Sequence, residues 1–297
     1  MAKNNNNIRF TFGSDPEAFV STMNNRIKNA IPIVGKDKYN PHNLGGGTKA
    51  YFDCCLLETS FKPANSKKEL INRLKSVYSK IQNKVLGSKY KMVFKAAHFF
   101  PKNELDLDPR SFEVGCTPSF NVHTKSIVAP SNFPSNMRSG AGHIHIGHPL
   151  IKNDFGAREN LIKLLDVIVG TSLVVINKDK TSSMRRQIYG EAGNFRVCQN
   201  YGAEYRSPDS YYLRSPQTTG LVYDLVKYTL KNVVNGNATK MLGKVNLDNV
   251  RKAVDKCDKK LSLSILKQVK LPKYLLNRVT KNYGNLDLYR EWKISKR

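Results

Sequence analysis

Apolar and polar residues alternate from 8 to 20 around Phe10, Phe12 and Phe19, the two-residue period of a strand with one buried face. A polar loop rich in Gly, Asn, Lys and Pro, 35–48, leads into a second strand, 50–60. The period then changes. Leu70, Ile71, Leu74, Val77, Tyr78 and Ile81 recur at helical spacing behind Ser66, an N-cap residue, and predict an amphipathic helix over 67–86. Strands follow near 90–100, 111–122 and 142–147, then a long apolar helix starting at Asp154 or Ala157 and running to Ile176. A basic, Gly-containing loop over 178–193 feeds strands at 194–197 and 203–207. This mixture predicts an α+β fold.

From Pro216 the pattern is helical throughout, with Leu221, Val222, Leu225, Val226 and Leu230 on one stripe. The same stretch, 216–297, holds 18 Lys+Arg against 6 Asp+Glu, a net of +12. The chain therefore divides into an α+β region, 1–215, and a basic helical region, 216–297. No internal repeat appears at solenoid periods.

Charge changes the picture more than composition does. Hydrophobic residues at 40% and charged residues at 24% are ordinary for a globular chain, but a net charge of +26 predicts attraction to polyanions such as nucleic acid or phosphate groups. A highly solvated surface accounts for the same excess. No apolar run is long enough to span a membrane, and residues 1–7 carry an Asn run without an apolar core, so they read as a frayed tail and not as a secretory signal. Five cysteines (Cys54, Cys55, Cys116, Cys198, Cys257) without C-x-x-C spacing argue against a disulfide framework and a thiolate zinc site. They fit reduced thiols and a cytoplasmic location, which also leaves the sequon at Asn237 without meaning.

Candidate chemistry gathers on strands. In Gly142-His143-Ile144-His145-Ile146-Gly147 the two imidazoles are two residues apart, so both face one side while Ile144 and Ile146 pack behind. One of the two could instead be a packed strand residue. Asp15 and Glu17 share a face in the same way, as do Glu204 and Arg206, and Glu58 ends an apolar run. Carboxylates with imidazole suit Mg²⁺ or Mn²⁺ where phosphates complete the shell, and zinc also accepts them. Arg138, Arg185, Arg186, Arg196 and Arg206 lie beside these residues in sequence, and guanidinium groups match phosphate oxygens bidentately. The pattern describes a nucleotide triphosphate site, although Arg185-Arg186 would serve equally as an exposed basic turn. Gly45-Gly46-Gly47-Thr48-Lys49 lacks P-loop spacing and precedes a strand, leaving an anion-binding loop or a turn. No G-x-S-x-G elbow is present, and Cys116 reads as structural.

The order of these blocks resembles the phage and bacterial amidoligases, carboxylate–amine ligases of the glutamine synthetase and glutamate–cysteine ligase superfamily. The resemblance runs through Gly13-Ser14-Asp15-Pro16-Glu17, Glu58, 115–121 and 142–147, then 185–196 and Tyr201-Gly202-Ala203-Glu204-Tyr205-Arg206. It covers roughly 8–215 and leaves the basic region unmatched. It implies a curved antiparallel sheet of the glutamine synthetase type, flanked by helices, that holds ATP and Mg²⁺ (or Mn²⁺) on its concave face. Carried over by motif, Asp15, Glu17, Glu58, His143 and Glu204 are the implied metal ligands. Arg196 and Arg206 would contact ATP phosphates or the transferred phosphoryl group, with Glu17 beside them in catalysis, and His145 would lie by the nucleotide, as would Arg138, Arg185 and Arg186. Thr117 and Ser119 stand where the family often carries acidic residues, which leaves open whether that strand binds a metal or an ammonium and is compatible with an altered amine specificity.

The expected activity is ATP-dependent amide formation from a small-molecule or peptide carboxylate and an amine, through an acyl phosphate. Two rivals use the same residues differently. One is a metal-dependent hydrolase or nuclease; the other is a nucleic-acid-binding or virion protein in which the basic region carries the function.

Overall fold

The computed structural model describes residues 8–113, 118–128 and 134–295. Two antiparallel sheets carry the architecture. The first has the strand order Thr11–Gly13, Ile144–Gly147, Gly202–Tyr205, Asn194–Cys198, Ser119–Asn121, Ser126–Val128. The second runs Ile27–Lys28, Glu17–Thr22, Leu56–Ser60, Thr48–Asp53, His42–Gly45, with Tyr90–Val93 also paired to Glu17–Thr22. A two-stranded ribbon, Ala97–Phe99 with Met137–Ser139, completes the β structure of the described residues.

The single opening strand expected over 8–20 is two strands in different sheets. Thr11–Gly13 pairs with Ile144–Gly147, whereas Glu17–Thr22 pairs with Leu56–Ser60. Between them lies Pro16, which has no N–H to give a ladder and a fixed φ, so the run breaks there. Pro16 keeps one bridge, to Gly142. That crossing point holds Asp15 between the two sheets and beside the histidine strand. The 90–100 segment divides likewise into Tyr90–Val93 and Ala97–Phe99. The 111–122 segment begins as a 3₁₀ turn, Pro109–Phe112, and is a strand at Ser119–Asn121; Cys116 and Thr117, like residues 1–7, lie outside the described residues.

Glycine explains the 45–49 segment. Gly45, Gly46 and Gly47 all have φ between +66° and +80°, a region that L side chains rarely adopt, and they turn the chain from His42–Gly45 into Thr48–Asp53. The segment is a hairpin turn.

Helices seal the outer faces. Ser66 accepts a hydrogen bond from Glu69 N at 3.2 Å and opens Lys67–Ile81, which closes in a π turn, Gln82–Leu86. Asp154 caps Phe155–Leu165, accepting from Ala157 N at 2.8 Å. That helix continues through a π turn, Asp166–Gly170, into Thr171–Ile176. The π turn carries the buried Asp166, which accepts from Tyr205 Oη at 2.7 Å and pairs with His123 Nε2 at 2.8 Å. The 178–193 loop contains a short helix, Ser182–Arg186.

Beyond Pro216 come the helices Pro216–Val234, Ala238–Leu242, Leu247–Asp255, Lys259–Gln268, Lys273–Val279 and Leu288–Trp292. Leu221, Val222, Leu225, Val226 and Leu230 are fully buried and share one apolar cluster with Ile144, Ile146, Phe195 and Tyr205 of the first sheet. Trp292 Nε1 donates to Leu213 O at 2.8 Å, and Tyr289 Oη donates to Gln82 Oε1 at 2.5 Å. The helical region thus backs the sheet whose other face carries the candidate chemistry. Among the described residues no helix is long and apolar enough to cross a membrane.

Candidate active site

Strand register builds the first half of the site. His145, Glu204 and Arg196 sit opposite one another on three adjacent strands, so their side chains share one face, while Ile144, Tyr205 and Phe195 are buried on the other. Glu204 is buried and ionically enclosed. Its Oε1 accepts from Arg206 Nη1 at 2.9 Å, its Oε2 accepts from Arg196 Nη1 at 3.1 Å, and His143 Nδ1 lies 3.4 Å from Oε1. A buried carboxylate and the buried Arg206 would each be costly alone; together they offset most of that desolvation.

The two histidines differ in what their nitrogens meet. His143 is buried, with Nδ1 3.2 Å from Asp15 Oδ2 and Nε2 3.3 Å from Tyr189 Oη. Tyr189 Oη already accepts Arg206 Nε at 2.9 Å and Arg206 Nη2 besides, so its own proton is the one directed at His143 Nε2. Nδ1–H then donates to Asp15, and both nitrogens of His143 are engaged. His145 has one nitrogen, Nδ1, against Tyr201 Oη at 2.5 Å, whereas Nε2 faces Asp15 Oδ1 at 3.3 Å.

Asp15 Oδ1 and His145 Nε2 are both sequestered from solvent and face each other as an ion pair. Asp15, His145 and Glu204 can each offer one ligand atom within 4.8 Å of the others, and carboxylate oxygens with a neutral imidazole nitrogen fit a divalent cation. Burial works against the charged forms of Asp15 and His145, yet each supports the other. Asp15 is held well below the usual carboxylate range by His143 and His145 against the desolvation that would raise it. His145 is raised by Asp15 and Glu204, again against desolvation.

The second sheet supplies carboxylates of another kind. Glu17 stands opposite Glu58, and Glu58 opposite Tyr51, across three strands. Ala141 N donates to Glu17 Oε2 at 2.7 Å, and Tyr51 Oη to Glu58 Oε1 at 2.9 Å. Burial, with Asp15 and Asp53 nearby, pushes Glu17 up to about 7 in spite of His143. Burial and the Asp15, Glu17 and Asp53 charges raise Glu58 well above its ordinary value, and burial raises Asp53.

Asp15, Glu17, Glu58, His143, His145, Arg196, Glu204 and Arg206 are therefore connected through this ring of contacts, register pairs and charges. Arg138, Arg185 and Arg186 hold other positions. Arg185 is fully buried and donates to Ser207 O at 2.9 Å; Arg186 donates to Gly190 O at 3.0 Å. Arg138 donates to Ser111 O and, through Nε, to Cys54 Sγ at 3.1 Å. Ser119 is buried, and Asn121 on its strand binds Asn194 Oδ1 at 2.8 Å.

Tyr189, Tyr201, Tyr51 and Asp53 join the site without a prior signal of their own, except that Tyr51, like Asp53, falls on the two-residue period within 50–60. A cleft of about 260 Å³ opens beside Asp15 and His145, walled by Thr11, Phe61, Pro63 and Tyr201.

Family comparison assigns the chain, with its curled antiparallel strands and helices behind them, to the ligases that join a carboxylate to an amine. The family described as Phage phiEco32-like COOH.NH2 ligase-type 2 matches residues 124–292, more than half of the 297, and the chain belongs to that family. No curated protein matches the chain. The matched span includes His143, His145, Arg196, Glu204 and Arg206 and runs on through the basic helices, whereas Asp15, Glu17 and Glu58 precede it.

Proposed function

We propose that the chain is an ATP-dependent ligase of the glutamine synthetase-like type that uses Mg²⁺ or Mn²⁺ and forms an amide from a small-molecule or peptide carboxylate and an amine. The observation that carries this reading is the buried ion pair of Asp15 Oδ1 and His145 Nε2 beside Glu204 and two arginines. Asp15, His145 and Glu204 would hold a divalent ion, which when bound neutralises phosphate oxygens. His143 keeps Asp15 aimed at that position, and Tyr201 orients the His145 ring.

In the proposed reaction a carboxylate oxygen displaces ADP from the γ-phosphorus of ATP, giving an acyl phosphate. The amine nitrogen then attacks the carbonyl carbon, phosphate leaves, and the nitrogen loses a proton. Arg206, fixed by Glu204 and Tyr189, and Arg196, more exposed at the rim, supply positive charge where phosphoryl oxygens gather it. Glu17 and Glu58 supply negative charge opposite, suited to a second divalent ion or to the incoming ammonium group.

The test is ADP and phosphate release that depends on an added amine and carboxylate. Asp15→Asn and Glu17→Gln should each lower turnover by at least about 100-fold, given the size of lost electrostatic stabilisation at such sites, with an unchanged circular dichroism spectrum. Undiminished turnover in both variants would refute the site. Release of AMP and pyrophosphate would replace the acyl phosphate with an adenylate.

A further inference from the structure

Cys54 and Cys55 are adjacent residues whose sulfurs lie together. In an extended chain successive side chains point to opposite faces. Here the two residues form the turn between Thr48–Asp53 and Leu56–Ser60, and Cys54 has φ +48°, in the left-handed region. The turn brings Cys54 Sγ to 3.9 Å from Cys55 Sγ and aims both thiols at one carbonyl, Ser111 O, at 3.0 and 3.7 Å. Arg138 completes the group, its Nε donating to Cys54 Sγ at 3.1 Å while the same guanidinium is anchored on Ser111 O, Ser135 O and Met137 O.

A fixed guanidinium on a sulfur favours the thiolate, the nucleophilic form. The hydrogen bond from Cys54 holds the Cys55 thiol down at about 7, against the burial that would raise it, while that bond and burial push Cys54 up in spite of Arg138, so the pair shares one proton with Cys54 as its holder. Cys54 is half-buried and Cys55 fully buried, so a reagent meets Cys54 first and finds the second sulfur directly behind it. Arg138 thus activates a thiol pair, a role outside the proposed ligase chemistry.

We propose that Cys54–Cys55 is a dithiol modification site that takes an oxidant of the small-molecule disulfide class and closes to a vicinal disulfide. Cys54 Sγ attacks one sulfur of the reagent disulfide, its proton passing to the Cys55 sulfur it already faces, forming a mixed disulfide and releasing one reagent thiolate. Cys55 then attacks Cys54 Sγ and expels the second. Two protein thiols are oxidised, one reagent disulfide is reduced to two thiols, and the two protein protons end on those thiols. Adjacent residues have Cα atoms about 3.8 Å apart, closer than the span of an unstrained disulfide, so the product should be easily reduced. Because the turn joins the strands that carry Tyr51, Asp53 and Glu58, and displaces Arg138 from its sulfur when it closes, the modification alters the second sheet at its tip.

The experiment incubates the full chain with oxidised glutathione, then alkylates and maps the peptides by mass spectrometry. The expected result is loss of two hydrogen masses on the peptide holding Cys54 and Cys55, protection of both from alkylation, and reversal by dithiothreitol. Cys55→Ser should stop at a glutathione adduct on Cys54. Arg138→Gln should slow closure about tenfold, roughly the effect of raising a thiol pKa by one unit at neutral pH, and Arg138→Lys should recover part of the rate. Full alkylation of both residues after the oxidant, or a stable adduct on Cys54 of the unsubstituted chain, would overturn the proposal. Mass is the readout, so the outcome is independent of whether the ligase reading holds.

Discussion

The two sheets meet at Asp15 but treat charge in opposite ways. On the first, Glu204 is enclosed by Arg206, Arg196 and His143, and the acid and its cations balance inside the protein. On the second, Glu17 and Glu58 meet neutral donors, the Ala141 N–H and the Tyr51 hydroxyl, while Lys38 is the cation acting on Asp53. The charge of Glu204 is therefore offset inside the protein, and removing the acid leaves a buried guanidinium without its carboxylate. On the second sheet burial and mutual repulsion push the carboxylates up, and among the described residues their ionisation has no comparable internal guanidinium to offset it.

The sharpest way to break this contrast is Glu204→Ala. It leaves the buried Arg206 without its carboxylate and should cost about 3–5 kcal/mol, seen as a large fall in the urea midpoint; a loss under about 1 kcal/mol would mean the balance is not internal. Tyr189→Phe removes only the hydroxyl that joins Arg206 to His143. It should cost about 1–3 kcal/mol, the desolvation penalty of the donors left unpaired, and an unchanged midpoint would show that water replaces the phenol. The smallest effect has the opposite sign. Glu58→Gln removes a group whose ionisation burial and its acidic neighbours oppose, so at a pH high enough to ionise it the melting temperature should rise by the equivalent of up to about 1 kcal/mol, while the further rise on adding MnCl₂ shrinks relative to the unsubstituted protein. A fall in melting temperature without metal would place Glu58 among the stabilising residues.

The same contrast explains what the sequence could disclose. His145, Glu204 and Arg196 are legible because strand periodicity alone decides which residues share a face. Asp15 and Glu17 are legible as polar residues in an apolar run, but the change of sheet at Pro16, which places them differently, depends on pairing partners more than 120 residues away. Arg138, Arg185 and Arg186 look like Arg196 and Arg206 in sequence. What separates them is which carbonyl or thiol each guanidinium meets, and charge patterning carries no such information. Tyr189 and Tyr201 were equally silent, since a phenol in a loop reads as apolar until its hydroxyl has a neighbour. Past 216 the described residues form helices, and these helices finish the core begun before them.

The π turn Asp166–Gly170 has a consequence for chain length. A π turn holds one residue more than the α turn it replaces, and each residue rotates a helix by about 100°. Deleting a single residue there would restore a regular helix and swing Asp166 away from either His123 or the phenol of Tyr205. Gly170 adds a spatial limit, because a Cβ on it would come within 2.9 Å of Tyr205 Oη. The length of this helix is therefore counted to the residue, and a relative with one residue fewer between 155 and 176 must lack the Asp–His–Tyr tie behind its first sheet.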